Sequence, residues 1–246
     1  MDTPPARKLS CSVIIPCYNE RDNIGNCIKR LTRMGEFTEA IVVDDGSTDD
    51  TAAKADPGLN RDIEVKVISY KPNRGKGYAV KSGFNSAKGD VLMILDADMS
   101  VMPEELPGFF NLIQNGSADF VNGTRLLYPM ERKAMPWLNY MGNRFFTAAL
   151  SWITGQKITD TLCGTKAMLK KDYQRIQMKD TSWGDFDLLL GAVKLGLKIS
   201  EIPVHYKARV AGESKMKAFK HGWILLKICL KALWEIKLHR KSENAP

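Results

Sequence analysis

Two aspartates separated by one residue follow a short apolar run in the middle of the chain. The run spans residues 91–95, and Asp96 and Asp98 come directly after it. Residues i and i+2 of a strand point to the same side, so these carboxylates are expected to converge at the strand's carboxyl end. Ligands bind at that edge in open α/β sheets, and paired carboxylates suit Mg²⁺ or Mn²⁺ carrying phosphate oxygens. The alternative is a strand end whose aspartates cap the helix that Pro103 opens.

Two earlier strands also end in polar residues. After the first, Tyr18 offers an aromatic face for a nucleobase, and after the second, Asp45 can accept hydrogen bonds from a base or ribose. Gly46 permits a tight turn, and Ser47 or Thr48 is expected to cap the next helix. Because the carboxyl ends of parallel strands meet at one edge, the three loops are expected to form one pocket.

Apolar strands alternate with helices along the chain, which predicts an α/β fold with a mostly parallel sheet and helices on both faces. The first βα turn has no G-x-G-x-x-G, and no Walker A motif is present, which excludes both nucleotide-binding signatures. We expect a disordered leader over 1–10, one α/β domain over 11–216, and a basic amphipathic helix with a tail over 217–246. The predicted strands are 11–15, ended by Pro16, then 40–43, 63–69, 91–95 and 118–122.

The charge of the chain is concentrated near its carboxyl end. The formal net charge is +8, and residues 205–241 hold ten Lys or Arg against two acidic residues, which accounts for all of it. A basic end on a neutral body predicts an anionic partner, such as a membrane surface, lipid phosphate, nucleotide or nucleic acid. The five cysteines contain no C-x-x-C pair, which favours a reducing compartment.

No stretch offers the roughly 20 apolar residues that a membrane-spanning helix needs. The apolar segment 145–153 is too short, and the segment 223–236 is interrupted by Lys227 and Lys231. The second segment fits a helix lying in the membrane interface, with lysines on one side and apolar residues largely on another. The alternative is a terminal helix that packs on the sheet with a solvated basic face. The lysines are Lys220, Lys227 and Lys231, and the apolar residues are Trp223, Leu226, Leu230, Leu233 and Trp234.

Taken together, the motifs resemble the family 2 glycosyltransferases of the GT-A fold. Later motifs narrow the resemblance to the dolichyl-phosphate and polyprenyl-phosphate mannose synthases, over roughly residues 11–216. The first set comprises VIIPCYNE at 13–20, VVDDGSTD at 42–49, NRGKG at 73–77 and LDAD at 95–98. The second set comprises GTR at 123–125, DTLCGTK at 160–166 and RVAGESK at 209–215.

The resemblance implies a donor site for a nucleotide sugar and Mg²⁺ or Mn²⁺. By this resemblance, Asp98 and Arg125 are the catalytic residues, and Asp96, Asp98 and Ser100 bind the metal ion. The family often has Gln at the position of Ser100. The implied donor-binding residues are Pro16, Tyr18, Glu20, Val43, Asp45, Asp96, Ala97, Asp98, Ser100, Arg125, Arg209 and Lys215.

The sequence also offers candidate residues for binding the acceptor. Arg132 and Arg144, with Arg125, are expected to position an acceptor phosphate, and Asp185 and Asp187 to border it. Solvated charges would explain Arg132 and Arg144 equally well, and acidic residues in the first turn of a helix would explain the two aspartates.

The expected activity is inverting transfer of a hexose to a polyprenyl phosphate, with GDP-mannose as the favoured donor. A phosphomonoester has its second pKa near 6 and is largely anionic at pH 7, so it needs no strong base. UDP-glucose or another UDP-sugar as donor and a glycan hydroxyl as acceptor stay open, as does a basic membrane-binding module without enzymatic activity. We expect the protein to associate peripherally with the cytoplasmic face of a membrane. A small anchoring subunit is one possible partner, and nucleic acid is not an expected one.

Overall fold

A computed structural model describes residues 8–128, 137–178, 184–207 and 218–238. It contains a seven-stranded sheet of order β3-β2-β1-β4-β6-β5-β7. All neighbouring strands are parallel except β6, which runs antiparallel to both β4 and β5. The strands are β1 (Cys11–Cys17), β2 (Thr38–Asp44), β3 (Glu64–Ser69), β4 (Val91–Ile94), β5 (Phe120–Thr124), β6 (Lys166–Leu169) and β7 (Ile199–Pro203).

Helices cover both faces of this sheet, as the sequence predicted. They are α1 (Ile24–Lys29), α2 (Thr51–Lys54), α3 (Lys76–Ser86), α4 (Leu106–Gln114), α5 (Trp137–Thr154), α6 (Lys170–Tyr173), α7 (Gly184–Lys194) and α8 (Ala218–Ala232). One apolar core joins the sheet to α1 and α4, and a second joins its other face to α3 and α7. The apolar strands are therefore buried on both sides, which explains their continuous hydrophobic runs.

The described structure corrects the predicted strands in three places. β1 continues through Pro16, which pairs with Val43 in the parallel register, so proline does not end the strand. β6 and β7 were not predicted. Because β6 runs antiparallel to both β4 and β5, the sheet is mixed and not wholly parallel. Ser10, assigned to the leader, is fixed by its hydroxyl, which donates to Asp90 over 2.6 Å. Residues 1–7 of that leader lie outside the described residues.

A third, smaller core lies between α5, α7 and α8. On α8, Leu225, Cys229 and Ala232 face inward and are buried. A π-helical turn, Leu233–Leu238, continues from α8, and Lys194 of α7 forms an ion pair with Glu235 of that turn. The terminal helix is thus anchored on its inner side.

The outer sides of α5 and α8 expose large apolar residues. We call this surface the α5–α8 face. Lys227 and Lys231 are exposed beside its tryptophans, so the predicted separation of lysines from apolar residues on α8 is wrong. Among the described residues no helix is long and apolar enough to cross a membrane. The exposed apolar residues of the face are Trp137, Leu138, Met141, Phe145, Trp152, Trp223, Leu230 and Trp234.

Candidate active site

The loops after β1 and β2 are joined by hydrogen bonds at their tips. The Asn19 N–H donates to Ser47 Oγ over 2.9 Å, and the Thr48 N–H donates to Asn19 Oδ1 over 2.8 Å. Asn19 takes a left-handed conformation, with φ of 55°, which asparagine tolerates better than most residues. Ser47 and Thr48 therefore fix the neighbouring loop and do not cap α2, whose N-cap is Asp50. The expectation of a serine or threonine cap is wrong.

Asp45 connects the second loop to the amino end of α3. Its buried carboxylate accepts hydrogen bonds from the N–H groups of Arg74 and Gly75, over 2.7 and 2.8 Å. Gly75, the N-cap of α3, has φ of 94°, where a side chain would be strained. Burial and the charge of Asp45 raise the pKa of Tyr70. In this structure Asp45 organises the NRGKG segment, and its binding of a nucleoside stays a prediction.

Asp96 and Asp98 lie directly after β4, which pairs with β1. Asp98 is buried, and its Oδ1 accepts a hydrogen bond from the Ser100 N–H over 2.9 Å. Asp96 is more open, with a third of its side chain exposed, and its Oδ1 lies 2.7 Å from the Nζ of Lys76. Burial, then the charges of Asp98 and Asp96, raise the pKa of Cys27 to about 12. The pair thus follows β4 with one carboxylate buried and the other paired with the first residue of α3.

The oxygen atoms of this pair fit a hard divalent cation. Asp96 already has a positively charged partner in the ammonium of Lys76. No group of three or more His, Cys, Asp or Glu side chains suited to a metal is present in the described part of the chain. A cation held by Asp96 and Asp98 would thus need further oxygens from phosphate or water, as Mg²⁺ commonly does.

The DTLCGTK segment passes close to this carboxylate. A Cβ atom on Gly164 would collide with Asp96 Oδ2 and lie 2.7 Å from Lys76 Nζ. Only glycine lets the backbone approach so closely. The segment therefore forms one wall of the site.

Arg125, at the end of β5, is held by Asp160 of the same segment. Its Nε donates to Asp160 Oδ2 over 2.6 Å and its Nη2 to Oδ1 over 2.9 Å. Burial alone would raise the pKa of Asp160, but the guanidinium and its hydrogen bonds lower it to about 2. Asn143 of α5 donates to the same carboxylate over 2.8 Å. The guanidinium is therefore fixed on one side, with its Cζ 5.0 Å from the ring centroid of Tyr206.

The remaining predicted residues fall into three groups. Val43, Ala97 and Ser100 are buried at the strand ends, while Pro16, Tyr18 and Glu20 are partly exposed near them. Arg144 is exposed on α5, with its Cζ 5.9 Å from the ring centroid of Tyr140, and Asp187 is partly buried on α7. The third group lies outside the described residues or has an undescribed side chain. It comprises Arg132, Arg209, Lys215 and Asp185.

Three residues of the site were not assigned a role from the sequence. Lys76 lies within the quoted NRGKG motif and Asp160 within DTLCGTK, so the motifs signalled the segments without revealing these ion pairs. Asn143 carried no signal, because only the packing of α5 brings it to Asp160.

Comparison with known proteins places this site in context. The family model described as Glycosyl transferase family 2 matches residues 12–176. A dolichyl-phosphate hexose transferase of Haloferax volcanii is 30% identical over 227 residues, covering 92% of this chain and 95% of that protein. A dolichol-phosphate mannosyltransferase of Pyrococcus furiosus is 32% identical over 249 residues, covering 94% of this chain and 66% of that protein.

A solved structure also resembles the fold. Glucosyl-3-phosphoglycerate synthase from Mycobacterium tuberculosis, in complex with Mn²⁺, UDP and glucosyl-3-phosphoglycerate, superposes with a TM-score of 0.68. It is 20% identical, and the match covers 92% of this chain and 79% of that one. At this identity the likeness shows a shared fold.

Proposed function

The chain belongs to glycosyl transferase family 2, and we propose that it transfers mannose from GDP-mannose to a polyprenyl phosphate. The names of the two relatives support the lipid-phosphate acceptor, and one of them supports mannose. The observation that carries the proposal is the pair Asp96 and Asp98 at the sheet edge, with Lys76 beside it. This arrangement suits a nucleoside diphosphate, because two acidic ligands and one cation can share its charge.

The donor side uses the loops after β1, β2 and β4. Asp96 and Asp98, with Ser100, would hold Mg²⁺ or Mn²⁺, which when bound neutralises the charge of the leaving diphosphate. Tyr18 would stack on the base, and the segment that Asp45 holds would border the nucleoside. Pro16, Glu20, Val43 and Ala97 complete the proposed lining, with Arg209 and Lys215 closing over the phosphates.

The acceptor side centres on Arg125. Because Asp160 fixes its guanidinium by two hydrogen bonds, Arg125 would present its remaining N–H donors in a fixed orientation. A lipid phosphate is largely anionic at pH 7 and can attack without a strong base. Attack from the side opposite the diphosphate inverts the anomeric centre. Arg132 and Arg144 would help to orient the phosphate, and Asp185 and Asp187 would border it.

The α5–α8 face would bring this site to the lipid. Its tryptophans and the exposed Lys227 and Lys231 combine the groups that bind at membrane surfaces, aromatic rings at headgroup depth and cations toward anionic lipid. Lys237 Nζ lies 3.4 Å from the ring centroid of Trp152, which joins the π-helical turn after α8 to α5. Since α5 also carries Asn143, it links this face directly to Asp160 and Arg125. We therefore place the protein peripherally at the cytoplasmic side of a membrane, with or without a small anchoring subunit.

The proposal is tested by direct assay of glycolipid formation. The protein is incubated with GDP-mannose, UDP-glucose or UDP-N-acetylglucosamine, with Mg²⁺ or Mn²⁺ and a short-chain polyprenyl phosphate. We expect mannosyl phospholipid of inverted configuration, activity that chelation abolishes, and loss of at least about 100-fold in Asp98→Asn. Asp62→Asn, which changes an exposed carboxylate before β3, serves as the control.

The other outcomes distinguish the alternatives. Transfer from a UDP-sugar alone would replace the donor, and a product of retained configuration would contradict the direct attack. If Asp187→Asn abolishes transfer while donor binding is intact, a base-requiring hydroxyl acceptor gains support. Unchanged transfer in Asp98→Ala would remove the metal pair from the reaction, and no transfer with any donor would favour a membrane-binding module.

A further inference from the structure

Lys76 pairs with the more open of the two site carboxylates. The Nζ–Oδ1 distance to Asp96 is 2.7 Å, and the two side chains are 30% and 33% exposed. The pair therefore faces the site and is not sealed in the core. Lys76 is the first residue of α3 and directly follows Gly75, whose N–H is held by Asp45. Its backbone is thus fixed by the second loop, while its side chain reaches the third.

Gly164 lies close to both members of the same pair. A Cβ at this position would meet both Asp96 Oδ2 and Lys76 Nζ. Because these contacts involve the two charged groups themselves, the DTLCGTK backbone lies directly against the ion pair. The ammonium is consequently confined between this backbone and Asp96 Oδ1, one of the oxygens that a bound cation would use.

Two cations cannot share this position at low cost. Like charges this close to each other repel, although solvent weakens the repulsion where the groups are partly exposed. In addition, the described residues offer no cluster of three or more metal-ligating side chains. A divalent cation alone would therefore have to displace the ammonium and would gain only two carboxylates.

We propose that Lys76 neutralises Asp96 until a nucleoside diphosphate arrives, and that its ammonium would then pair with a phosphate oxygen, which would leave Asp96 and Asp98 to hold the divalent cation. This inference rests on the proposed function, since it assumes a diphosphate donor at Asp96 and Asp98. The donor compensates for the displaced ion pair by giving Lys76 a new anionic partner. The cation and the donor consequently bind together, and by linkage each raises the affinity of the other.

Binding of Mn²⁺ measured by electron paramagnetic resonance tests this without turnover. The full-length protein is titrated with Mn²⁺ alone, with GDP and with UDP. For Lys76→Met we expect Mn²⁺ alone to bind about tenfold more tightly than in the wild type, because the competing charge is gone. In the presence of the nucleotide the same variant should bind Mn²⁺–nucleotide about tenfold more weakly, because a charge-assisted hydrogen bond to phosphate is lost.

Matched variants separate this role from a general effect of charge or folding. Lys88→Met also removes one lysine from an ion pair with a glutamate, Glu64, but near the amino end of β4, and should bind Mn²⁺ as the wild type does. Lys76→Arg keeps the charge and should keep the weak binding of Mn²⁺ alone. Gly164→Ala places a methyl group against both Asp96 and Lys76. It should weaken Mn²⁺–nucleotide binding, and it provides a second test if Lys76→Met does not fold.

The outcomes also separate this inference from the function on which it rests. If the wild type binds Mn²⁺ with nucleotide, but Lys76→Met matches it both with and without nucleotide, the role of Lys76 is overturned and the proposed function stands. If the wild type binds no Mn²⁺ with either nucleotide, the divalent-cation site fails and this inference fails with it.

Discussion

Arg125 and Asp160, 35 residues apart in the chain, form an ion pair in which both carboxylate oxygens are used. The Asp160 side chain is fully buried and that of Arg125 is 11% exposed. Asn143 adds a third donor to the carboxylate. A buried pair of this kind costs desolvation energy when it forms, but removing one partner leaves an uncompensated charge.

Asp160→Asn should therefore destabilise the protein by about 3 kcal/mol at neutral pH, because Arg125 would keep its charge without an anionic partner. Urea unfolding followed by circular dichroism measures the free energy of unfolding. Glu36 forms an ion pair with Lys8 at the surface, where their side chains are 60% and 85% exposed, respectively. Glu36→Gln should therefore change the free energy of unfolding by less than about 1 kcal/mol. Equal effects of the two substitutions would contradict the buried role.

The same substitution has a defined pH dependence. The pKa of Asp160 is about 2 in the folded protein, against an ordinary 3.8. Since the folded-state pKa is the lower one, ionised Asp160 stabilises the fold above pH 3.8, and this stabilisation is lost as the pH falls toward 2. The difference in unfolding free energy between wild type and Asp160→Asn should thus shrink over that interval. A difference that stays constant would show that charge is not its origin.

Gly83 provides a test of the contact between α3 and the sheet. A Cβ there would lie 2.6 Å from Ile14 Cγ2 and 3.2 Å from Val43 Cγ2, so Gly83→Ala should destabilise the fold by about 1–3 kcal/mol through overpacking. Gly142→Ala is the matched control, because Gly142 also lies inside a helix but a Cβ added there would have no neighbouring atom within 4 Å. It should stabilise the protein by about 0.5–1 kcal/mol through helix propensity. Thermal unfolding of both variants measures these opposite signs.

The strands that the sequence marks most clearly are those with continuous apolar runs. β1, β2 and β4 are buried on both faces, so their composition alone marks them. β6 is four residues long and begins with a lysine, and β7 is partly buried along its whole length. The apolar run of β6 is only three residues long, and β7 has neither a run nor a strict alternation. The antiparallel direction of β6 depends on its pairing with β4 and β5, which no local pattern encodes.

The site, too, has features that the sequence predicts and features that only the fold determines. The loop positions of Asp45, Asp96 and Asp98 follow from the strand order, which is why the sequence predicted them. The partners of these residues depend on side-chain reach across the chain, as with Lys76 on Asp96. Asp45 illustrates the limit, since an acidic residue at a strand end could accept from a ligand or, as here, from the backbone of Arg74 and Gly75.

Ser100 allows the predicted metal role of its hydroxyl to be separated from its backbone. Its N–H donates to Asp98 Oδ1 over 2.9 Å, and Ser100→Ala keeps that bond. If the hydroxyl binds the cation directly or through water, Ser100→Ala should lower transfer about tenfold, less than Asp98→Asn, because one neutral ligand is lost. Steady-state assays at several Mg²⁺ concentrations should show a raised requirement for the ion. Transfer equal to the wild type at limiting Mg²⁺ would exclude the hydroxyl as a ligand.

The α5–α8 face predicts measurable binding to lipid vesicles. Trp152 and Trp223 are each 64% exposed, so Trp152→Ser and Trp223→Ser leave most of the fold's packing intact. Partial burial of such a ring contributes about 1.5 kcal/mol, so each substitution should weaken binding to anionic vesicles about tenfold in flotation assays.

Replacing one exposed lysine on the α5–α8 face and one exposed lysine elsewhere tests the electrostatic contribution to vesicle binding. Lys227→Gln should weaken vesicle binding about fivefold at low salt and much less at high salt, because a cation near an anionic surface contributes about 1 kcal/mol that salt screens. Lys29→Gln removes an exposed lysine from the last turn of α1 and should leave binding unchanged. If Trp152→Ser, Trp223→Ser and Lys227→Gln all float as the wild type does, the face does not contact the membrane, and the lipid acceptor must reach Arg125 by another route.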